Sequence, residues 1–158
     1  MPVRTTSFSL DEIQKKLEHY CAYQDRCHQE VELKLRTLGV TGTDAAEIIS
    51  TLIAGNFLNE ERFARSFARG KHRIKGWGRM RIVSELKSRN ISPVIISMAL
   101  QEIADEYDDG FDFHAEKAWN AIKEPNAFKK KMKFCAQMMR KGFEADRIQE
   151  KAEELSGV

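Results

Sequence analysis

Apolar residues recur every three or four positions along nearly the whole chain, which is the spacing of amphipathic helices. No stretch alternates apolar and polar residues over the length of a strand, so the pattern favours an all-α fold. The predicted helices lie at about 10–23, 27–38, 41 or 43 to 54, 60–75, 79–90, 93–103, 111–124, 126–141 and 144–156.

Residues typical of helix ends mark several of these boundaries. A capping box begins at Ser9, and Asn59 is the predicted N-cap of the fourth helix. Ser92 caps the sixth helix and places Pro93 at its first position, where the missing N–H costs nothing. Gly39 ends the second helix because glycine adopts the left-handed C′ conformation without a Cβ penalty.

Two helices have core faces that can be predicted from their bulky side chains. The apolar stripe of the third helix comprises Ala45, Ile48, Ile49, Leu52 and Ile53. The core face of the fourth helix comprises Phe63, Phe67, Gly70 and Ile74. We expect both sets to be turned towards the interior.

The order of the helices indicates an internal repeat of about fifty residues. When Gly39, Asn90 and Gly142 are aligned, at spacings of 51 and 52 residues, apolar residues coincide in six further columns, which gives seven aligned columns in all. Three of these columns are Val31, Ile82 and Phe134; Leu35, Leu86 and Met138; and Val40, Ile91 and Phe143. We therefore predict three tandem three-helix modules, 1–56, 57–107 and 108–158, stacked into an elongated, curved body.

Positive charge is concentrated in the second module. Residues 62–89 hold ten basic side chains and one acid, Glu85, so this stretch carries a net +9. The whole chain carries only +2, and its remainder is therefore −7. A row of basic side chains favours binding to a phosphate backbone, because each neutralised phosphate releases counterions. The alternative interpretation is a solvated face that touches nothing.

The bases of the fourth helix are predicted to form an exposed stripe with almost no acidic partners inside the stretch itself, although acids elsewhere in the chain could fold over it. Arg65, Arg69 and Arg73, or His72 in its place, lie about 200° around the helix from the apolar face. Trp77, between two glycines, is either a base-stacking platform or a plug between the fourth and fifth helices, and we favour the plug. The predicted contact residues are Arg62, Arg65, Arg69, Lys71, Arg73, Lys75, Trp77, Arg79, Arg81, Lys129, Lys130 and Lys133.

Two further charged segments lie in the last third of the chain. The eighth helix carries a basic cluster that either lengthens the binding surface or forms an ordinary outer face. Its members are Lys129, Lys130, Lys131, Lys133, Arg140 and Lys141. The segment 102–116 holds seven acids and no lysine or arginine, and we predict it to be a solvated link. The alternative interpretation is a surface that contacts a basic partner or mimics a run of phosphates.

Several classes of protein are excluded by what the sequence lacks. No apolar run approaches the roughly 18 residues of a membrane span, and the N-terminus has no apolar segment typical of a secretory signal, so we expect a cytoplasmic protein without a membrane partner. Cys21, Cys27 and Cys135 are expected to be free thiols. The common nucleotide-binding and hydrolase motifs are absent, so we expect no catalytic site, cofactor or metal.

The stretch 57–91 resembles the core signature of the bacterial RecX family. It carries FLNEERFARSFAR at 57–69, then Lys71, Gly76-Trp77-Gly78, Arg81-Ile82, Glu85-Leu86 and Arg89-Asn90-Ile91. Residues 32–35 and Gly39 match the first part of the family pattern. The resemblance covers roughly residues 20–105, whereas the third module matches mainly by repeat spacing. Residues 27–29 read Cys-His-Gln where the family usually has a His-Ser start.

This resemblance implies a regulator of the RecA recombinase in DNA repair and recombination. RecX-like proteins bind the RecA nucleoprotein filament along its helical groove and limit its extension, its ATPase and strand exchange. The implied partners are the RecA filament and single-stranded DNA, with double-stranded DNA left open. A repeat whose two ends differ is expected to be monomeric. The alternative interpretation, from charge alone, is a general single-stranded nucleic-acid-binding protein acting through a basic surface.

Overall fold

The computed structural model of the protein describes residues 8–157. In that range the chain forms nine α-helices, one short 3₁₀ helix and no strand, so the prediction of an all-α fold is confirmed. The helices are α1 (Leu10–Tyr23), α2 (His28–Thr37), α3 (Gly42–Ala54), α4 (Glu60–Arg73), α5 (Arg79–Ser88), α6 (Pro93–Glu102), the 3₁₀ helix (Ala104–Glu106), α7 (Tyr107–Ala121), α8 (Ala127–Lys141) and α9 (Ala145–Ser156).

The predicted N-caps are formed by the residues that the sequence indicated. Ser9 Oγ accepts a hydrogen bond from the Glu12 amide at 3.2 Å. Asn59 Oδ1 accepts from Arg62 at 2.9 Å, and Ser92 Oγ accepts from the third residue after it at 3.4 Å. Each bond satisfies one of the amides that the first turn of a helix leaves without a partner.

The internal repeat is visible in the backbone at the three aligned helix ends. Gly39, Asn90 and Gly142 all have positive φ, at 75°, 60° and 94°. At each place the next amide bonds back to the carbonyl of an aligned core residue: Val40 to Leu35, Ile91 to Leu86, and Phe143 to Met138, over 2.9, 3.1 and 3.3 Å. Three helix pairs therefore turn in the same way, as the alignment predicted.

The described residues form two apolar cores rather than three. One core lies within α1–α3 and includes Leu17, Leu35 and Leu52. The other is continuous through α4–α9, so that the second and third modules share it. Cys27, before α2, is fully buried in that shared core and joins the first module to the second. The module boundaries and the elongated, curved outline stay predictions.

Two residues predicted to face the core lie in solvent instead. Ile53 is 46% exposed and Ile74 is 79% exposed, so both predictions were wrong. Ile74 follows the last residue of α4, where the chain turns away from the helix. The buried face of α4 is instead centred on small residues: Ala64 and Ala68 are fully buried, as is Ala99 of α6. Alanines let two helix backbones approach closely. The predicted core face was based on bulky side chains and therefore did not include them.

The acidic segment 102–116 is not the solvated link that the sequence predicted. Its residues form the end of α6, the 3₁₀ helix and the beginning of α7. Asp108 and Asp109 lie in the first turn of α7, where negative charge complements the helix dipole.

Candidate nucleic-acid interface

The arginine stripe of α4 is covered by carboxylates from outside the basic stretch, an outcome that the sequence had left open. Glu102, at the end of α6, accepts from both Arg65 and Arg69, at 3.0 and 2.6 Å. Arg65 also lies 3.9 Å from Glu61 of its own helix. Further pairs are Arg62 with Asp25 at 2.7 Å, Arg73 with Glu106 at 2.6 Å, and Arg79 with Glu144 at 3.5 Å. Five of the predicted contact residues therefore already have acidic partners within the chain.

These pairs hold the carboxyl groups ionised. Hydrogen bonds from Arg69 and Arg65 lower the pKa of Glu102 below its ordinary value, and the bond from Arg73 does the same for Glu106. A lowered pKa means that the folded state favours the charged carboxylate more than the unfolded state does. The pairs therefore stabilise the fold above the ordinary pKa of glutamate, and this contribution is lost as the pH falls through the lowered value.

The contribution of Glu102 can be measured through its pH dependence. We expect the stability advantage of the native protein over Glu102→Gln to be full above the ordinary pKa of glutamate, to shrink as the pH falls below that value, and to vanish once the carboxylate is protonated in the folded protein. Urea unfolding followed by circular dichroism gives both stabilities at each pH. Glu150→Gln is the matched control, because Glu150 is exposed and forms no ion pair among the described residues. A gap between native protein and Glu102→Gln that stays constant with pH would contradict the assignment.

The second and third modules meet at the corner 76–78, which packs on the turn between α8 and α9. The Gly78 amide donates to the Lys141 carbonyl at 2.7 Å, and the Met80 amide donates to the Gly142 carbonyl at 3.0 Å. A Cβ on Gly142 would lie 2.9 Å from Arg81 Cα. Glycine at the corner and at the turn therefore permits a backbone-to-backbone contact that larger residues would prevent.

Around this contact lie six basic residues, which we call the joint cluster: Lys71, Lys75, Arg81, Lys117, Arg140 and Lys141. Lys71, Arg81, Lys117 and Lys141 take part through their side chains, whereas Lys75 and Arg140 contribute backbone carbonyls. Lys141 Nζ donates to the Lys75 carbonyl at 3.2 Å, and Arg81 Nη1 donates to the Arg140 carbonyl at 3.4 Å. Within residues 8–157 no member of the cluster forms an ion pair with an acid. Burial lowers the pKa of Lys141, and the charges of Lys117 and Arg81 lower it further. The positive charges of the cluster repel one another, and a bound anion would reduce this repulsion.

Trp77 connects the joint cluster to the shared core. Its ring is half-buried, packs against that core and meets the Phe67 ring edge-on, with centroids 6.0 Å apart. The Arg81 guanidinium lies 4.1 Å from the Trp77 ring centroid and Lys71 Nζ lies 4.9 Å from it. The packing agrees with the plug interpretation, and the ring also positions two cations of the cluster.

His72 lies in the interior rather than on the arginine stripe, where the sequence offered it as an alternative to Arg73. It is 1% exposed, and its ring stacks on Tyr107 at 5.1 Å between centroids. Its Nδ1 lies 2.9 Å from the Trp77 carbonyl oxygen, whereas its Nε2 is buried and has no hydrogen-bond partner. Burial raises the pKa of Tyr107 to about 12, and this hydroxyl accepts from the Arg79 amide and donates to Glu144.

The basic residues at the start of α8 lie apart from the joint cluster. Lys133 pairs with Glu124 at 3.2 Å, and Lys130 lies 4.5 Å from the Trp119 ring centroid. Lys129 is exposed and about 18 Å along the helix from Lys141, at 1.5 Å per residue. All six bases grouped from the sequence lie on α8, as predicted, but Lys141 lies at the opposite end of the helix from Lys129 and interacts with Lys117 and Arg81 instead. The sequence did not indicate Lys117, which the packing of α7 brings to the joint.

Other kinds of site find little support in the described part of the chain. The three cysteines are free, as predicted, and burial raises the pKa of Cys27 to about 11. Among residues 8–157, no group of three or more histidine, cysteine or acidic side chains is placed to hold a metal ion. In the same range, no helix combines the length and apolar character needed to cross a membrane. The prediction of no secretory signal concerns mainly residues 1–7, which lie outside the described residues.

The chain matches two domains of one known family. The second three-helix domain of RecX matches residues 59–100, and the third three-helix domain of RecX matches residues 106–151. Both matches fall in the part of the chain that shares one core and forms the joint cluster.

Whole proteins of the same family are also similar. Regulatory protein RecX of Bacillus cytotoxicus is 33% identical over 138 residues, which are 86% of this chain and 51% of that protein, so this chain spans about half its length. Regulatory protein RecX of Herminiimonas arsenicoxydans is 31% identical over 131 residues, which cover 82% of this chain and 83% of that protein. The crystal structure of RecX from Lactobacillus salivarius superposes with a TM-score of 0.76 at 27% identity, over 94% of this chain and 97% of that one. From these matches, the chain belongs to the RecX family of regulatory proteins.

Proposed function

We propose that this protein regulates the RecA recombinase by binding the RecA–DNA filament, in its helical groove, and inhibits filament extension, ATP hydrolysis and strand exchange. Membership of the RecX family supports a regulatory role. The observation that carries the DNA part of the proposal is the joint cluster, in which six bases without acidic partners meet where two family domains join.

The joint cluster suits phosphate better than the arginine stripe does. A phosphate approaching Arg65 or Arg69 must compete with Glu102, which already holds both guanidinium groups. A phosphate approaching Lys141 meets no such competitor and relieves the repulsion of this lysine from Lys117 and Arg81. We therefore assign the DNA contact to the joint cluster and a structural role to the paired arginines of α4.

The direct test is the hydrolysis of ATP by RecA on single-stranded DNA, titrated with this protein. The variant Lys75→Glu, Lys141→Glu reverses two charges of the joint cluster. It is expected to raise the concentration for half-inhibition on the order of tenfold, because two phosphate contacts are lost. The salt dependence of binding to single-stranded DNA should fall by about one unit of slope for each lysine.

The matched control is Arg36→Glu, Lys123→Glu, which makes the same change in net charge at two exposed positions that are not members of the cluster. It should leave half-inhibition within about twofold of the native value, since distant surface charges act weakly at physiological salt. If the native protein leaves RecA activity unchanged when the two proteins are equimolar, the proposal is wrong.

A second candidate function is general binding of single-stranded nucleic acid, which the acid-free joint cluster also supports. The same titration separates the two. Inhibition well below one copy per RecA indicates that the filament is the ligand. Inhibition that requires saturation of the DNA and disappears with added salt indicates competition for phosphates alone.

A further inference from the structure

A groove between α1 and α2 has the chemistry of a nucleotide-binding site, although no residue of it was predicted from sequence. Its volume is about 480 Å³, which is in the range of small-ligand sites in proteins. Its lining includes three lysines, one arginine and two tyrosines, and it contains no acid. The groove lies outside residues 59–151, which hold both family-domain matches.

The groove is built by the outer face of α1 and the second half of α2. Lys15, Lys16 and Tyr23 project from neighbouring positions of α1, at 0°, 100° and 80° around the helix axis by helical geometry at about 100° per residue. Lys34 enters the lining from α2. The lining residues therefore lie on two helices that pack around one apolar core, which holds them in place.

One wall is fixed by Arg26. Its Nε donates to the Tyr20 carbonyl at 3.1 Å, and its guanidinium lies 3.8 Å from the Tyr20 ring centroid. Its side chain is only 13% exposed and pairs with Glu30 at 3.7 Å. Arg26 therefore orders Tyr20 and the end of α1. The remaining charges of the groove are its lysines, of which Lys16 lies with its Nζ 4.2 Å from the Phe8 ring centroid.

The lysines have no acidic partner among the described residues. Lys15 and Lys16 are exposed, and Lys34 is half-buried with its Nζ 5.6 Å from the Tyr20 ring centroid. Within residues 8–157, none of the three forms an ion pair. Three uncompensated charges around one groove attract a ligand with several negative charges.

Tyr23 supplies a flat apolar surface beside these charges. Its side chain is 79% exposed at the last position of α1. An exposed aromatic ring next to lysines is the arrangement with which proteins hold single strands, since bases stack on the ring while phosphates follow the cations. An acidic peptide would use the lysines and gain less from the ring.

We propose that this groove binds single-stranded nucleic acid, with a base stacked on Tyr23 and the flanking phosphates held by Lys15, Lys16 and Lys34. The site is separate from the joint cluster and does not rest on the RecA proposal. A strand that reaches both surfaces would be held at two points, which increases its apparent affinity without further contacts.

The test is fluorescence anisotropy of a labelled thymidine oligomer of about 15 nucleotides, titrated with the full chain. Tyr23→Ala is expected to weaken binding about fivefold or more, because stacking on one ring contributes roughly 1–3 kcal/mol per base. Tyr23→Phe keeps the ring and should bind within about twofold of the native protein. Lys15→Glu, Lys16→Glu should lower the salt slope by about two units, whereas Arg36→Glu, Lys123→Glu is the charge-matched control.

A second readout does not depend on affinity. An oligomer carrying 5-iodouracil is expected to cross-link, on irradiation, to the peptide that contains Tyr20 and Tyr23, as identified by mass spectrometry. Cross-links found only near Trp77, or equal binding by Tyr23→Ala and the native protein, would overturn the proposal. Displacement of the strand by an equal concentration of free thymidine monophosphate would replace it with a free-nucleotide site. Equal displacement by polyglutamate would replace it with a site for acidic peptides.

Discussion

Replacing Gly78 by alanine is expected to lower the free energy of unfolding by about 3 kcal/mol or more, which is in the range of the most damaging single substitutions. A Cβ at this position would collide with the carbonyl group of Gly142 and would lie 2.6 Å from the amide nitrogen of Phe143. Those are backbone atoms, so no side chain can rotate away. The φ of Gly78 is −85°, which alanine adopts freely, and the cost is therefore purely steric.

Gly70→Ala is the matched control, because a Cβ there would meet no atom within 4 Å. Gly70 lies inside α4, where alanine is favoured over glycine by roughly 0.5–1 kcal/mol. The same substitution is thus expected to destabilise the protein at the joint and to stabilise it one helix earlier. Urea unfolding followed by circular dichroism measures both. Equal stabilities of the two variants would show that the backbones at Gly78 and Gly142 are not in close contact.

The Gly78 variant should also lose affinity for single-stranded DNA. The hydrogen bonds from Gly78 and Met80 hold α5 against the turn after α8, and that contact brings Arg81 near Arg140 and Lys141. Separation of the two backbones would disperse the joint cluster without changing any charge. Weaker binding by Gly78→Ala under conditions where it remains folded would therefore connect the packing of the joint to its function.

Phe143→Ala is the second change with a large expected effect, at about 3–5 kcal/mol, the usual cost of truncating a buried phenylalanine. Phe143 is fully buried. Its ring contacts those of Phe111, Tyr107 and His72, with centroids 5.0, 5.8 and 6.4 Å away. The cavity would open in the middle of the core that α4–α9 share, between the second and third modules.

Hydrogen exchange can show where this stability is lost. Because the core of α1–α3 is separate, amides of α5, α7 and α9 should exchange faster in Phe143→Ala, while those of α1 and α3 keep most of their protection. Phe128→Ala is the control, since its ring is 70% exposed on α8, and it should change stability by less than about 0.5 kcal/mol. Uniform loss of protection across all nine helices described would mean that the protein unfolds as one unit.

Periodicity and residue type were enough to predict the helices, their caps and the repeat. Ser9, Asn59 and Ser92 act on amides three residues away, and the aligned turns at Gly39, Asn90 and Gly142 depend on the backbone of a single residue each. Such interactions are local, so periodicity and residue type are sufficient to predict them. The signature at 57–91 likewise indicated the RecX family from neighbouring residues alone.

Which basic side chains lack an acidic partner depends on how the helices pack. Glu102 lies 33 residues or more from Arg69 and Arg65 along the chain, yet it holds both. Lys117 reaches the joint cluster through the packing of α7, and the groove beside Tyr23 exists because α1 and α2 pack around one core. Ion pairs form between side chains that lie close together in space, because the Coulomb energy falls with distance. Counting charges along the sequence therefore located the basic module. It could not show which of the basic side chains have no acidic partner and can bind a ligand.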